Sequence, residues 1–226
     1  MHIIDTTFAA QSKLFEKLLS EALQNGSMTG PTRAELELPC STLIMRPQPD
    51  MAAVLAEKVA FLAERFPGQL YYGQSNLHMT VCALPDVVPG SILHRHLRRS
   101  LGSHVGALRA LEMPVGGFGI IGSAVIFRAF DTDGLLGRMV KCLAADIEEE
   151  GFAMADMAGL HTQIFWLTAA RLITEPSKEF LDYISQHQDE RFGVANFSLM
   201  EIVSTDSLFS EHATQIMESY NLGDFS

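Results

Sequence analysis

Apolar residues recur along this chain at two spacings, one of about 3.6 residues and one of two, and the alternation between them lays out its elements. The first stretch is helical: Phe8, Leu14, Phe15, Leu18, Leu19 and Leu23 share one face, and Asn25-Gly26 supplies a stop. A Ser/Gly/Pro/Thr-rich loop over residues 26–33 separates this helix from the rest of the chain. The helix is expected to pack on the body or on a second subunit. Residues 40–46 read as a strand ended by Pro47-Gln48-Pro49. Asp50 is placed to cap a helix with the stripe Met51, Leu55, Val59, Leu62 and Phe66, stopped by Pro67-Gly68. A strand over 71–84, a helix over 91–104 and a strand over 107–115 complete the first half.

The second half repeats this order. Residues 123–130 read as a strand, and 131–133 as a cap region. Leu135, Met139, Leu143 and Ile147 form a helical stripe that ends at Glu150-Gly151. A strand over 159–169 comes next, then a helix opened by Pro176 with Phe180, Leu181 and Ile184 inward and Gly193 closing it. Residues 194–204 read as a strand, and Ala213, Ile216, Met217 and Tyr220 as a last short helix.

The two 71–84 and 159–169 strands carry the candidate chemistry. The first contains Leu77-His78-Met79-Thr80-Val81, the second Leu160-His161-Thr162-Gln163-Ile164. Side chains alternate faces on a strand, so His78 shares a face with Thr80 (and with Cys82), and His161 shares one with Gln163. The tripeptide is weak evidence singly, because His212-Ala213-Thr214 has the same form in a stretch read as helix. The pairing carries the weight. His161 follows His78 by 83 residues, and the same offset relates Asp50 to Asp133, Gly68 to Gly151, Leu97 to Phe180 and Leu101 to Ile184. The layout is that of a duplicated unit with a histidine delivered twice.

Composition narrows the partners. The chain has 226 residues, 47% hydrophobic and 19% charged, which fits a globular fold, and the repeats fall at about 40–120 and 121–205. No apolar run reaches the roughly 18–20 residues that span a bilayer, and no signal-like start precedes the first helix, so no membrane partner and a cytoplasmic location are expected. Cys40, Cys82 and Cys142 lie far apart without a paired spacing, as in a reducing compartment. A net charge of −11 argues against long nucleic acid but leaves room for a small nucleotide in a locally basic cleft. Gly117-Phe118-Gly119-Ile120-Ile121-Gly122 matches a dinucleotide fingerprint in letters only, since a strand comes after it; it reads as a turn between lobes. His94-Arg95-His96 and Glu148-Glu149-Glu150 read as solvated helix faces. Tyr71, Tyr72, Phe165 and Trp166 are candidates to stack on a base, although buried strands commonly carry aromatics as core.

Paired His-x-Ser/Thr motifs in a duplicated chain resemble the 2H phosphoesterase superfamily, the RNA ligase-like and cyclic phosphodiesterase-like proteins. The resemblance covers a domain over about 36–226 and leaves residues 1–35 as an N-terminal helical extension. It implies an α+β fold, bilobal, with two antiparallel sheets facing a central cleft and helices on the outer faces. It implies His78 and His161 as catalytic acid and base, with Thr80 and Gln163 holding phosphate oxygens. Gln163 stands where the family has Ser or Thr, and the family's basic residue after the second motif is missing at Trp166 and Leu167. The activity implied is metal-independent and cofactor-free hydrolysis of a 2′,3′-cyclic phosphate, or a related phosphodiester, of a small nucleotide or RNA end. The rival is a catalytically impaired nucleotide- or RNA-end-binding protein of the same fold. A scaffold that forms a homodimer through the N-terminal helix is the third reading.

Overall fold

A computed structural model of the chain describes residues 2–24, 30–106, 108–152, 160 and 162–223, with side chains from residue 7 onward. The described strands are β1 (Pro39–Met45), β2 (Leu70–Tyr71), β3 (Met79–Leu84), β4 (Leu111–Ile121), β5 (Ala124–Ala129), β6 (Phe165–Arg171), β7 (Arg191–Phe197), β8 (Leu199–Asp206) and β9 (Gln215–Asn221). The described helices are α1 (His2–Gln24), α2 (Arg33–Leu36), α3 (Pro49–Arg65), α4 (Ile92–Val105), α5 (Leu135–Glu149) and α6 (Lys178–Gln186). The protein is α+β, and among the described residues every strand pairing is antiparallel.

The strand order is β7-β4-β5-β6-β3-β1-β8-β9, with β2 on β6. Its symmetry is visible in the pairings. β1 lies between β3 and β8, as β5 lies between β6 and β4. The two halves meet on β6, where Met79 of β3 stands opposite Leu167 and the short β2 pairs Leu70 with Arg171 and Tyr71 with Ala170. The expected two sheets are thus joined into one nine-stranded sheet among the described residues. Each repeat also lends its last strand to the other half: β4 pairs with β5 and β7, while β8 returns to β1.

One face of both halves is a continuous apolar core. Leu43, Met79, Phe127, Leu167 and Ile202 pack there against Leu55 and Leu62 of α3, Leu97 of α4, Leu143 of α5 and Phe180 of α6. The opposite face is covered by two other segments. Phe15 of α1 is buried with Ala124, Ile126, Phe130, Ile164 and Trp166, and Phe8 stacks on Phe130 at 4.3 Å between ring centroids. The apolar stripe of the first helix therefore packs on the body. On the other half, Phe209 is buried against Ile44 and Val203.

Several expected boundaries moved, each for a tertiary reason. β4 runs through the glycine-rich stretch to Ile121, because Phe118 to Ile121 pair with Ala124 to Phe127 of β5. Gly193 sits within β7 and Ser198 divides the expected 194–204 strand in two. The expected last helix is instead β9, which pairs with the exposed edge of β8 and satisfies its backbone groups. Asp50 lies in the first turn of α3, whose N-cap is Gln48, and the α5 terminus is capped by Asp131, whose Oδ2 accepts from Gly137 N at 2.9 Å.

Candidate functional site

The expected second-motif strand begins later than its sequence pattern. β6 starts at Phe165 because its partner β5 ends at Ala129; Ala129 opposite Phe165 is the last pair. Beyond it the chain turns: Gln163 N and Ile164 N both bond Leu160 O, at 2.9 and 3.1 Å. Gln163 is exposed, and its carbonyl accepts from Gln11 Nε2 at 3.1 Å. It lines a cavity between α1 and α5, with Asp131 and Arg138, that does not include His78. Gln163 therefore lines a different cavity from His78 and Thr80. His161 lies outside the described residues.

His78 and Thr80 flank Met79, and Trp166 and Thr168 flank Leu167, so the Met79–Leu167 bridge makes the two pairs counterparts. Met79 and Leu167 point into the core, which turns their neighbours to the other face. All four neighbours line one cavity of about 300 Å³. By strand pairing the structural partner of His78-x-Thr80 is thus Trp166-x-Thr168, five residues beyond His161, and an indole is the counterpart of the His78 imidazole.

His78 is 4% exposed and buried under a ring. Its Nδ1 lies 2.7 Å from Asn76 O, and the Phe209 ring sits 3.5 Å away between centroids. A carbonyl can only accept, so Nδ1 carries the proton and Nε2 keeps its lone pair. Burial pushes the imidazole pKa down from 6.5 to about 3; the Asn76 carbonyl opposes this, and the charges of Arg46 and Arg171 add to it. His78 is neutral at physiological pH. Phe209 has φ +53, a region that bulky side chains avoid. Its loop is pinned by Asp206, whose Oδ1 accepts from Leu208 N at 3.1 Å and Ser210 N at 3.0 Å.

Arg171 brings positive charge to the same cavity, three residues after Thr168. Its Nε is buried without a hydrogen-bond partner, and among the described residues no carboxylate forms an ion pair with it. It lies near Tyr72, whose phenol burial raises in pKa while Arg171 pulls the other way. Tyr72 also lines the cavity and donates to Ser207 O at 2.6 Å. Of the other aromatic candidates, Phe165 is fully buried in the core and Tyr71 donates to Phe66 O. Cys82 is likewise core and does not share the cavity face with His78 and Thr80 as its strand alternation predicts. The β1–β3 register shifts between Leu43 and Ile44, which turns Cys82 to the helix side, where burial raises its pKa to about 12. Cys40 lines the cavity instead.

Neither a family model nor a curated protein sequence matches the chain. Solved structures do. A Thermus thermophilus protein aligns at TM-score 0.60 and 14% identity, over 82% of this chain and 100% of its own. A conserved Agrobacterium tumefaciens protein of unknown function aligns at 0.57 and 16%, over 88% and 91%. E. coli LigT, solved with 3′-AMP, aligns at 0.53 and 13%, over 82% and 99%. The fold is 2H phosphoesterase-like. Within the 2H-like fold, Thr168, Arg171 and Phe209 are the residues that sequence reading missed, and Trp166 was singled out as a base-stacking aromatic and not as the counterpart of His78. A threonine two positions after an aromatic and three before an arginine, in the β-forming run Phe165 to Arg171, was the only available signal.

Proposed function

We propose that the cavity at the Met79–Leu167 bridge binds the phosphate of a small nucleotide or of an RNA end, and that the protein is a binder rather than a paired-histidine hydrolase. The observation that carries this reading is Trp166-x-Thr168 opposite His78-x-Thr80. The hydroxyls of Thr80 and Thr168 and the guanidinium of Arg171 are donors suited to non-bridging phosphate oxygens. Tyr72 and Trp166 offer aromatic surface to a base or ribose. E. coli LigT, of similar fold, has been solved with 3′-AMP and with ATP, which supports a nucleotide as ligand here.

Hydrolysis of a 2′,3′-cyclic phosphate by the expected route needs one neutral imidazole to accept a proton from water. It also needs a protonated one to release the ribose oxygen. His78 is neutral, which suits the first role, but a pKa of about 3 makes it a feeble base. The indole of Trp166 has a donor N–H and no basic nitrogen, so it can orient a phosphate oxygen but cannot exchange a proton.

The test is calorimetry with 3′-AMP and 2′,3′-cyclic AMP in EDTA, beside a turnover assay on the cyclic nucleotide. Wild type is expected to bind without turnover, and Arg171→Ala to bind about 10–100-fold more weakly, the range for a hydrogen bond to a charged group. Turnover by wild type that disappears in His78→Ala would overturn the binder reading in favour of hydrolysis. Absence of binding to either nucleotide would overturn the site itself.

A further inference from the structure

Arg128 lies on β5 beneath α1, 5% exposed. Its Nε is buried without a partner, and no hydrogen bond joins its guanidinium to any described residue. The carboxylate of Asp189 approaches Nη2 only to 3.6 Å, from a side chain that is 83% exposed, and Glu16 adds charge through space. The guanidinium carbon stands 5.8 Å from the centre of the Phe130 ring. Buried charges ordinarily have full sets of partners, so a guanidinium left this way is an unfilled site.

The other half of the sheet supplies the comparison. Arg46 follows Met45, the partner of Met79, as Arg128 follows Phe127, the partner of Leu167. Arg46 is satisfied: Nε donates to Glu201 Oε2 at 3.2 Å and Nη1 to Ser75 O at 3.0 Å. Glu201 stands opposite Ile44 on β8, and the corresponding position, opposite Ile126 on β4, is Gly119. A Cβ at Gly119 would lie 3.6 Å from Arg128 Cγ, so a side chain there would face the arginine. One half of the fold carries its own carboxylate, and the other has a glycine in its place.

A cavity of about 540 Å³ opens beside Arg128, between α1 and the β4–β7 strands. Phe8 and Phe130 give it an apolar wall, Ser12 and Thr132 give hydroxyls, and Asp189, Glu190 and Arg191 stand at its rim. We propose that this cavity binds a small organic carboxylate with an apolar body, whose carboxylate takes on Arg128 the part that Glu201 plays on Arg46. A monoanion fits the charges: with Asp189 and Glu190 set against Arg191 the rim carries one net negative charge, which repels a phosphate dianion more strongly than a carboxylate. The fork of the guanidinium matches the two oxygens of a carboxylate. This site is separate from the His78 cavity and does not depend on the nucleotide reading.

Calorimetry with benzoate and hexanoate, and with inorganic phosphate at matched ionic strength, tests it. Wild type is expected to bind a carboxylate at millimolar concentration or below and phosphate at least tenfold more weakly. Arg128→Met should lose carboxylate binding by at least tenfold while keeping its circular dichroism spectrum. Asp189→Asn should tighten it several-fold by removing the competing carboxylate. Failure of wild type to bind either carboxylate overturns the proposal, as does binding unchanged in Arg128→Met. Phosphate bound as tightly as carboxylate overturns the ligand class. If Arg128→Met does not fold, Asp189→Asn decides, and an unchanged affinity there overturns the proposal.

Discussion

His78→Gln should flatten the acid limb of the protein's stability. A glutamine amide is polar but does not titrate in this range, so the variant isolates the protonation of the imidazole. In the folded chain the His78 pKa falls from 6.5 to about 3, chiefly through burial. As pH drops below 6.5 the unfolded chain takes the proton first, so its proton binding exceeds that of the folded chain and stability declines. The contribution is complete above pH 6.5 and is lost through the window from 6.5 to 3. One pKa unit corresponds to about 1.4 kcal/mol. Integrated between pH 7 and pH 5, the loss assigned to His78 is about 2 kcal/mol. Urea unfolding of wild type and His78→Gln at both pH values measures it, since the other titrating groups are common to the two proteins. Wild type should lose about 2 kcal/mol more than the variant. Equal losses would refute the argument, as would an NMR titration that puts the His78 midpoint near 6.5.

Two substitutions probe how the site is walled. Phe15→Ala removes a ring that is 2% exposed and set edge-on to Phe130, and should cost about 3–5 kcal/mol in denaturant unfolding. A cost below about 1 kcal/mol would mean that α1 is not held in the packing described. Gly137→Ala in the first turn of α5 should destabilise the protein, although helix propensity alone favours alanine by about 1 kcal/mol. A Cβ there would meet Thr162 O at 2.7 Å, backbone that cannot move without disturbing the entry to β6. A higher melting temperature for Gly137→Ala would contradict that contact.

The sequence by itself determined much of this protein. The stripes Met51-Leu55-Val59-Leu62 and Leu135-Met139-Leu143-Ile147 required helices with one buried face, and those residues are buried on α3 and α5. The repeated order of elements required a duplicated α+β layout, and His78 with Thr80 required a polar pair on one strand face. Local periodicity suffices for the helices and the polar pair, because each depends only on residues within a turn or a strand of one another, and the duplication is a repeat of such local patterns along the chain. Tertiary structure decided the rest. The 83-residue offset led to Gln163, whereas strand pairing put Trp166 and Thr168 opposite His78 and Thr80, since β6 extends only as far as β5 can pair with it. One bulge turned Cys82 into the core. Ile216, Met217 and Tyr220 have helical spacing, yet they lie on β9 because the edge of β8 offers hydrogen bonds along its length. Register, bulges and edge pairing join residues far apart in the chain, and their free energy resides in the partner strand, so no local pattern contains them.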